Sequence, residues 1–136
     1  MTENKIALHI ATNDEKAFFE ENAEHEVLAI EDTFDILKLY KIALEIDGIG
    51  LNVCFDGREA VEAIERLKPK VILLDMHLPY VSGESIYDYL KESHPGIVVL
   101  VITADRELYS KYKNKGKSYL KPMDFSVLRD EIRELF

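Results

Sequence analysis

Residues 71–79 have the sequence VILLDMHLP, in which four apolar residues are followed by a single carboxylate, Asp75, and then by a short segment ending in Pro79. A continuous apolar run of this length is typical of a strand that is buried on both faces of a parallel sheet. Asp75 would then lie at the carboxyl end of that strand, the edge where open α/β sheets bind their ligands. The stretch therefore predicts a fold class and a candidate functional residue together.

Strand-like and helix-like periods alternate on both sides of this stretch. We predict five strands, at residues 27–30, 51–55, 71–75, 97–102 and 118–120, and five helices, at residues 34–46, 60–67, 83–92, 105–113 and 125–135. Five strand–helix repeats with short connections predict an α/β fold. We expect a doubly wound, five-stranded parallel sheet with helices on both faces, in three α/β/α layers.

Composition limits the class of protein. The chain has 136 residues, of which 47% are hydrophobic and 32% are charged, so one globular domain is expected. No stretch has the length and apolar character of a membrane span or a signal peptide, and the single Cys54 excludes an internal disulfide framework. The net charge of −9 argues against nucleic-acid binding. These features indicate a cytoplasmic protein without nucleic-acid or membrane partners.

The negative charge is concentrated at the start of the chain. Residues 1–26 contain seven acidic residues and two lysines, whereas the other 110 residues carry a net charge of only −4. We therefore divide the chain into an acidic extension of unknown role, residues 1–26, and a folded domain, residues 27–136.

Polar residues end four of the predicted strands. Glu31 and Asp32 follow the first strand, Asp75 ends the third, and Thr103 and Lys121 follow the fourth and fifth. Parallel strands bring these residues to one edge of the sheet, where three carboxylates would repel each other unless a cation lay among them. Oxygen ligands without thiolate favour Mg²⁺ or Mn²⁺. In such a site Asp75 could attack phosphorus, while Lys121 and Thr103 would contact the phosphoryl oxygens.

Residues 27–136 resemble the receiver domain of bacterial response regulators. The resemblance rests on motifs in a fixed order: Glu31-Asp32, Asp56-Gly57 with Glu59-Ala60, Asp75 with Pro79 and Gly83, Thr103-Ala104, and Lys121-Pro122. It implies a flavodoxin-like strand order, 2-1-3-4-5. It also implies that Asp75 is phosphorylated by a sensor histidine kinase or a histidine phosphotransfer protein.

The same resemblance implies the metal ligands. Mg²⁺ would be held by Asp32, Asp75 and the main-chain carbonyl of His77, and Glu31 would reach the ion through water. The family's Lys-Pro bond is typically cis, so a cis bond is expected between Lys121 and Pro122.

Two features depart from the family pattern. The family usually has an aromatic switch residue three positions before the lysine, where this chain has Ser118, with Tyr119 one step later. An alternative alignment, with a gap in the last strand, would give the switch position to Tyr119. The segment from Thr103 to Lys121 is also shorter than usual, which predicts a short fourth helix.

These features favour a phosphoacceptor receiver. Because the sequence ends at Phe136, shortly after the last predicted helix, we expect its output to come through contacts with a downstream protein, and self-association into a homodimer is left open. Its chemistry would be limited to phosphorylation and dephosphorylation of Asp75 itself. A receiver-like interaction module that works without phosphorylation is the alternative. A phosphatase of the haloacid dehalogenase type is disfavoured because His77 stands where that class needs a second aspartate.

Overall fold

Five parallel strands form the centre of the fold in the computed structural model, which describes residues 26–136. The strands are β1 (Val27–Ile30), β2 (Leu51–Cys54), β3 (Val71–Asp75), β4 (Val98–Thr103) and β5 (Lys117–Leu120). Their order is β2-β1-β3-β4-β5, and each neighbouring pair is parallel. The predicted doubly wound α/β fold and its strand order are confirmed.

Helices cover both faces of the sheet. They are α1 (Phe34–Glu45), α2 (Ala60–Leu67), α3 (Gly83–Ser93), α4 (Arg106–Lys113) and α5 (Phe125–Arg133), and a 3₁₀ turn at Gly57–Glu59 precedes α2. The apolar residues of α1 and α5 pack on one face of the sheet, and those of α2, α3 and α4 pack on the other. Every residue of β3 is buried, as its apolar run predicts.

Local capping explains where several helices begin. The side chains of Ser82, Asp105 and Asp124 each accept a hydrogen bond from a backbone N–H group in the first turn of α3, α4 and α5. These bonds fix the helix starts directly after the loops that follow β3, β4 and β5. The loops at the carboxyl edge of the sheet are therefore short and anchored.

Two helices end earlier than predicted. The last helix was predicted to reach residue 135, but α5 ends at Arg133, and the Leu135 N–H group bonds back to the Ile132 carbonyl. We predicted that the first helix would extend to Ile46, but α1 ends at Glu45 because the N–H groups of Asp47 and Gly48 bond back to the carbonyls of Leu44 and Glu45. Gly48 has a φ of 69°, a conformation that favours glycine. The fourth helix, α4, is short, with eight residues.

The register of β5 places Ser118 and Tyr119 on opposite faces of the sheet. Ser118 pairs with Val101, whose side chain lies in the core cluster beneath α2, α3 and α4. Tyr119 pairs with Ile102 on the opposite face, and its hydroxyl group donates to Glu131 Oε1 of α5 at 2.8 Å. Ser118 therefore faces α2, α3 and α4, and Tyr119 faces α5. Which of the two takes the switch position stays a prediction.

The N-terminal extension, residues 1–26, lies outside the described residues except for Glu26. None of the helices within residues 26–136 combines the length and the apolar character that crossing a membrane requires.

Candidate functional site

Three carboxyl groups meet at the carboxyl edge of the neighbouring strands β1 and β3. One oxygen from each of Glu31, Asp32 and Asp75 can be chosen so that all three atoms lie within 4.8 Å of one another. Glu31 is 1% exposed and Asp75 is 5% exposed, whereas Asp32 is half-buried. Backbone N–H groups fix two of them, since Thr33 donates to Glu31 Oε2 and His77 donates to Asp75 Oδ1.

Lys121 brings a positive charge to the same place from the end of β5. Its Nζ lies 2.9 Å from Glu31 Oε1 and 3.8 Å from Asp75 Oδ1. Its backbone N–H donates to the carbonyl of Thr103, which places Lys121 beside the end of β4. The Lys121–Pro122 bond is cis, as the resemblance implied.

Thr103 is fully buried at the end of β4, directly after the residue that pairs with Asp75. Its Oγ1 accepts a hydrogen bond of 3.0 Å from the N–H of Asp105, the residue whose side chain caps α4. A hydroxyl group that accepts one bond still has its own hydrogen to donate. Thr103 thus links the start of α4 to the site and keeps a donor for an oxygen ligand.

The carboxyl groups of the site hold their protons more tightly than ordinary carboxyl groups do. Burial raises the pKa of Glu31, and the neighbouring Asp75 carboxylate raises it further. Burial also raises the pKa of Asp75, although the Lys121 ammonium opposes this. Burial and the hydrogen bond and negative charge of Glu31 raise the pKa of Asp32 to about 6. One ammonium group therefore does not balance three carboxylates.

This imbalance fits a hard divalent cation. Carboxylate oxygens are the ligands that Mg²⁺ prefers. Within residues 26–136, the acidic, histidine and cysteine side chains that lie close enough together to share one ion are Glu31, Asp32 and Asp75. The side chain of His77 is exposed, and its backbone lies next to Asp75. All five side chains that the sequence predicted for the site lie at this edge of the sheet.

We expect Mg²⁺ to stabilise the protein more at pH 8 than at pH 5. Asp32 has a pKa of about 6 in the folded protein, against about 3.9 in an unfolded chain. The folded state therefore binds the extra proton, and the free energy of unfolding falls as the pH rises from about 4 through about 6. The difference in pKa corresponds to at most about 3 kcal/mol, and solvent screening at half-buried Asp32 reduces it to about 1 kcal/mol.

The measurement is thermal unfolding at pH 5 and pH 8, with Mg²⁺ and with EDTA. Asp32→Asn should reduce the fall in stability with pH in EDTA and should weaken the response to Mg²⁺. The part of the fall that persists should come from Glu31 and Asp75, whose pKa values are also raised. An equal response of the wild type to Mg²⁺ at both pH values would contradict this prediction.

Arg58 and Tyr80, for which the sequence predicted no role, contact each other across the segments that follow β2 and β3. The guanidinium carbon of Arg58 lies 3.4 Å from the centre of the Tyr80 ring. The two residues belong to different loops, and no periodic pattern in the sequence indicates such a contact. The positive φ of Tyr80 gives no sequence signal either, because tyrosine rarely adopts it.

Comparison with known proteins agrees with this geometry. The family described as the response regulator receiver domain matches residues 27–133. The luminescence regulatory protein LuxO of Vibrio campbellii is 36% identical over 75 residues, which cover 55% of this chain and 17% of LuxO. The probable transcriptional regulatory protein TcrX of Mycobacterium tuberculosis is 33% identical over 78 residues, which cover 57% of this chain and 33% of TcrX. The chain thus spans only a minor part of these relatives.

Solved structures show the same fold. The receiver domain of a putative LuxO repressor protein from Vibrio parahaemolyticus has a TM-score of 0.73 at 29% identity, covering 82% of this chain and 89% of that chain. TrrA from Thermotoga maritima, solved in complex with Mg²⁺-BeF, has a TM-score of 0.73 at 19% identity, covering 82% of this chain and 98% of that chain.

Proposed function

Because the chain belongs to the response regulator receiver domain family, we propose that Asp75 accepts a phosphoryl group from the phosphohistidine of a sensor histidine kinase or a histidine phosphotransfer protein. The observation that carries this proposal is the meeting of Asp75 with Glu31, Asp32 and Lys121 at the end of a buried strand. A carboxylate that only capped a helix or faced solvent would not be 5% exposed among two further acids and an ammonium group.

In the proposed reaction an oxygen of Asp75 forms a bond to phosphorus while the phosphorus–nitrogen bond of the donor histidine breaks. The imidazole nitrogen keeps the electron pair of the broken bond. The His77 N–H group, 3.1 Å from Asp75 Oδ1, holds the carboxylate in one orientation. The ammonium group of Lys121 favours the ionised, nucleophilic form of Asp75, against the effect of burial on its pKa.

Lys121 and Thr103 are the groups that would receive the phosphoryl oxygens. Lys121 Nζ lies within 4 Å of carboxylate oxygens of both Glu31 and Asp75. It is therefore close enough to Asp75 to contact a phosphoryl oxygen bound there. Thr103 Oγ1 accepts a hydrogen bond from the Asp105 N–H group, which fixes the position of the hydroxyl oxygen. Its hydroxyl hydrogen would donate to a phosphoryl oxygen. Fixed donors of this kind stabilise developing negative charge without reorganisation.

Mg²⁺, or Mn²⁺, is the cofactor that we propose for the site. Asp32, Asp75 and the main-chain carbonyl of His77 would hold it, and Glu31 would bind through water. The bound ion would supply positive charge that offsets the crowded carboxylates and the phosphoryl oxygens. The pKa values of Glu31, Asp32 and Asp75 are raised first by burial and are only partly offset by Lys121. A bound cation would favour the ionised forms of these buried acids, which supports this assignment.

We propose that the phosphorylated domain acts through contacts with a downstream protein. The second candidate function, a receiver-like interaction module that works without phosphorylation, is favoured by one observation. Ser118 lies buried at the position where the family usually has an aromatic switch residue, and its Oγ has no hydrogen-bond partner within residues 26–136.

The test uses the full chain with a small acyl phosphate as the phosphoryl donor. We expect the intact mass to increase by one phosphoryl group in the presence of Mg²⁺ and to stay unchanged with EDTA. Borohydride reduction of the acyl phosphate followed by peptide mapping should locate the modification at Asp75. A chain that gains no phosphoryl group under these conditions would favour the second candidate function.

A further inference from the structure

The loop between β3 and α3 contains a strained residue. Tyr80 has a φ of 71°, and the N–H group of Val81 donates to the carbonyl of Pro79 at 2.8 Å across it. A hydrogen bond from residue i+2 to residue i around a positive φ defines the rare and strained form of the γ-turn. A bulky side chain in this conformation persists only where its surroundings hold it there.

Arg58 contacts the ring of Tyr80. Its guanidinium carbon stacks 3.4 Å from the centre of the tyrosine ring. Asp56 in turn holds Arg58, with Nη2 donating to Oδ2 at 3.0 Å and Nε donating to Oδ1 at 3.3 Å. Asp56 is 8% exposed, and although burial raises its pKa, the hydrogen bonds from Arg58 lower it below its usual range overall. The Arg58 side chain that stacks on Tyr80 is therefore fixed by a buried, ionised carboxylate, Asp56.

The same two loops also touch through their backbones. A Cβ atom added to Gly57 would lie 2.6 Å from the carbonyl oxygen of Val81, so only glycine allows this approach. At the other end of the loop, a Cβ atom on Gly83 would lie 2.5 Å from the Cα of Met76. The β3–α3 loop is therefore pinned on both sides of Tyr80.

We propose that Arg58, anchored by Asp56, is a positioning residue for the metal and phosphoryl site. The loop that it clamps through Tyr80 also carries His77, which donates to Asp75 and whose carbonyl is a proposed ligand of the cation. Without the stack, Tyr80 relaxes to a negative φ, and the loop no longer holds the His77 backbone against Asp75. The inference rests on the proposed function, because it assigns Arg58, Asp56 and Tyr80 to the same site.

Two readouts test the proposal on the full chain. The first is exchange of the Val81 amide hydrogen without metal, and the second is the dissociation constant for Mg²⁺, measured by titration. In Arg58→Ala we expect Val81 exchange to be about tenfold faster and Mg²⁺ binding to be about three- to tenfold weaker. Tyr80→Phe keeps the ring and should match the wild type in both. Arg58 is exposed at the surface, so this change leaves the core intact.

A rescue variant separates positioning from a general structural role. Glycine adopts a φ of 71° without strain, so Arg58→Ala combined with Tyr80→Gly should recover Mg²⁺ affinity relative to Arg58→Ala alone. Unchanged Mg²⁺ affinity in Arg58→Ala would overturn the inference and leave the proposed function standing. A wild type that neither binds Mg²⁺ nor accepts a phosphoryl group would overturn the proposed function itself, whatever the exchange of Val81.

Discussion

Asp75→Asn is expected to accept no phosphoryl group from a small acyl phosphate and Mg²⁺, and to unfold at a higher temperature than the wild type in EDTA. The amide has nearly the shape of the carboxylate and keeps an oxygen for the His77 N–H group, but it is not a nucleophile toward phosphorus. It also removes one of three crowded carboxylates, while Lys121 keeps its 2.9 Å contact with Glu31. We expect a gain in the free energy of unfolding of about 1–2 kcal/mol in EDTA.

Asp75→Asn should lose phosphoryl uptake and gain stability. A variant with a damaged fold would lose both. Intact-mass measurement gives the phosphoryl uptake, and thermal unfolding in EDTA gives the stability. Asp88→Asn, at an exposed position of α3, is the matched control and should behave as the wild type in both assays. An undiminished phosphoryl adduct in Asp75→Asn would place the acceptor elsewhere, and a loss of stability would mean that the carboxylates do not repel each other.

The positions of the site residues could be predicted because they depend on strand ends. Once the apolar runs before Glu31, Asp75 and Thr103 are assigned to neighbouring parallel strands, the geometry of the sheet brings the residues after them to one edge. The class of sheet and the ends of its strands follow from the spacing of apolar residues. The order of the strands, which makes these three neighbours, came from the resemblance to receiver domains. The roles of these residues in phosphoryl transfer remain proposals.

Features that depend on the path of a loop could not be predicted. The contact between Arg58 and Tyr80 requires a positive φ at Tyr80 and a close approach at Gly57, and neither follows from local residue preferences. The side of the sheet that Tyr119 faces depends on a register that shifts by one residue if a gap is allowed in β5. The end of α1 was placed one residue too late. Ile46 fits the apolar period and keeps helical dihedral angles, but the N–H groups of Asp47 and Gly48 already bond back to Leu44 and Glu45.

Lys121→Ala is expected to lower stability, more at pH 8 than at pH 5, and to slow phosphoryl uptake by about tenfold or more. Glu31 is 1% exposed, and Lys121 provides the ammonium group that contacts it. Without that charge the pKa of Glu31, already raised by burial, rises further, so the folded state binds its proton more tightly than the unfolded chain does. The free energy of unfolding then falls more steeply with rising pH than it does in the wild type. We expect the variant to be about 1–3 kcal/mol less stable than the wild type at pH 8, a loss that water entering the space left by Lys121 would limit.

The double variant Lys121→Ala, Glu31→Gln tests whether this loss comes from the charge pair. Removing both charges leaves no buried carboxylate without a partner, so most of the stability at pH 8 should return while phosphoryl uptake stays slow. This separates the two tasks of Lys121, since stability depends on its contact with Glu31 and phosphoryl transfer depends on its place beside Asp75. If the double variant is as unstable as Lys121→Ala, the loss arises from packing of the lysine side chain and not from its charge.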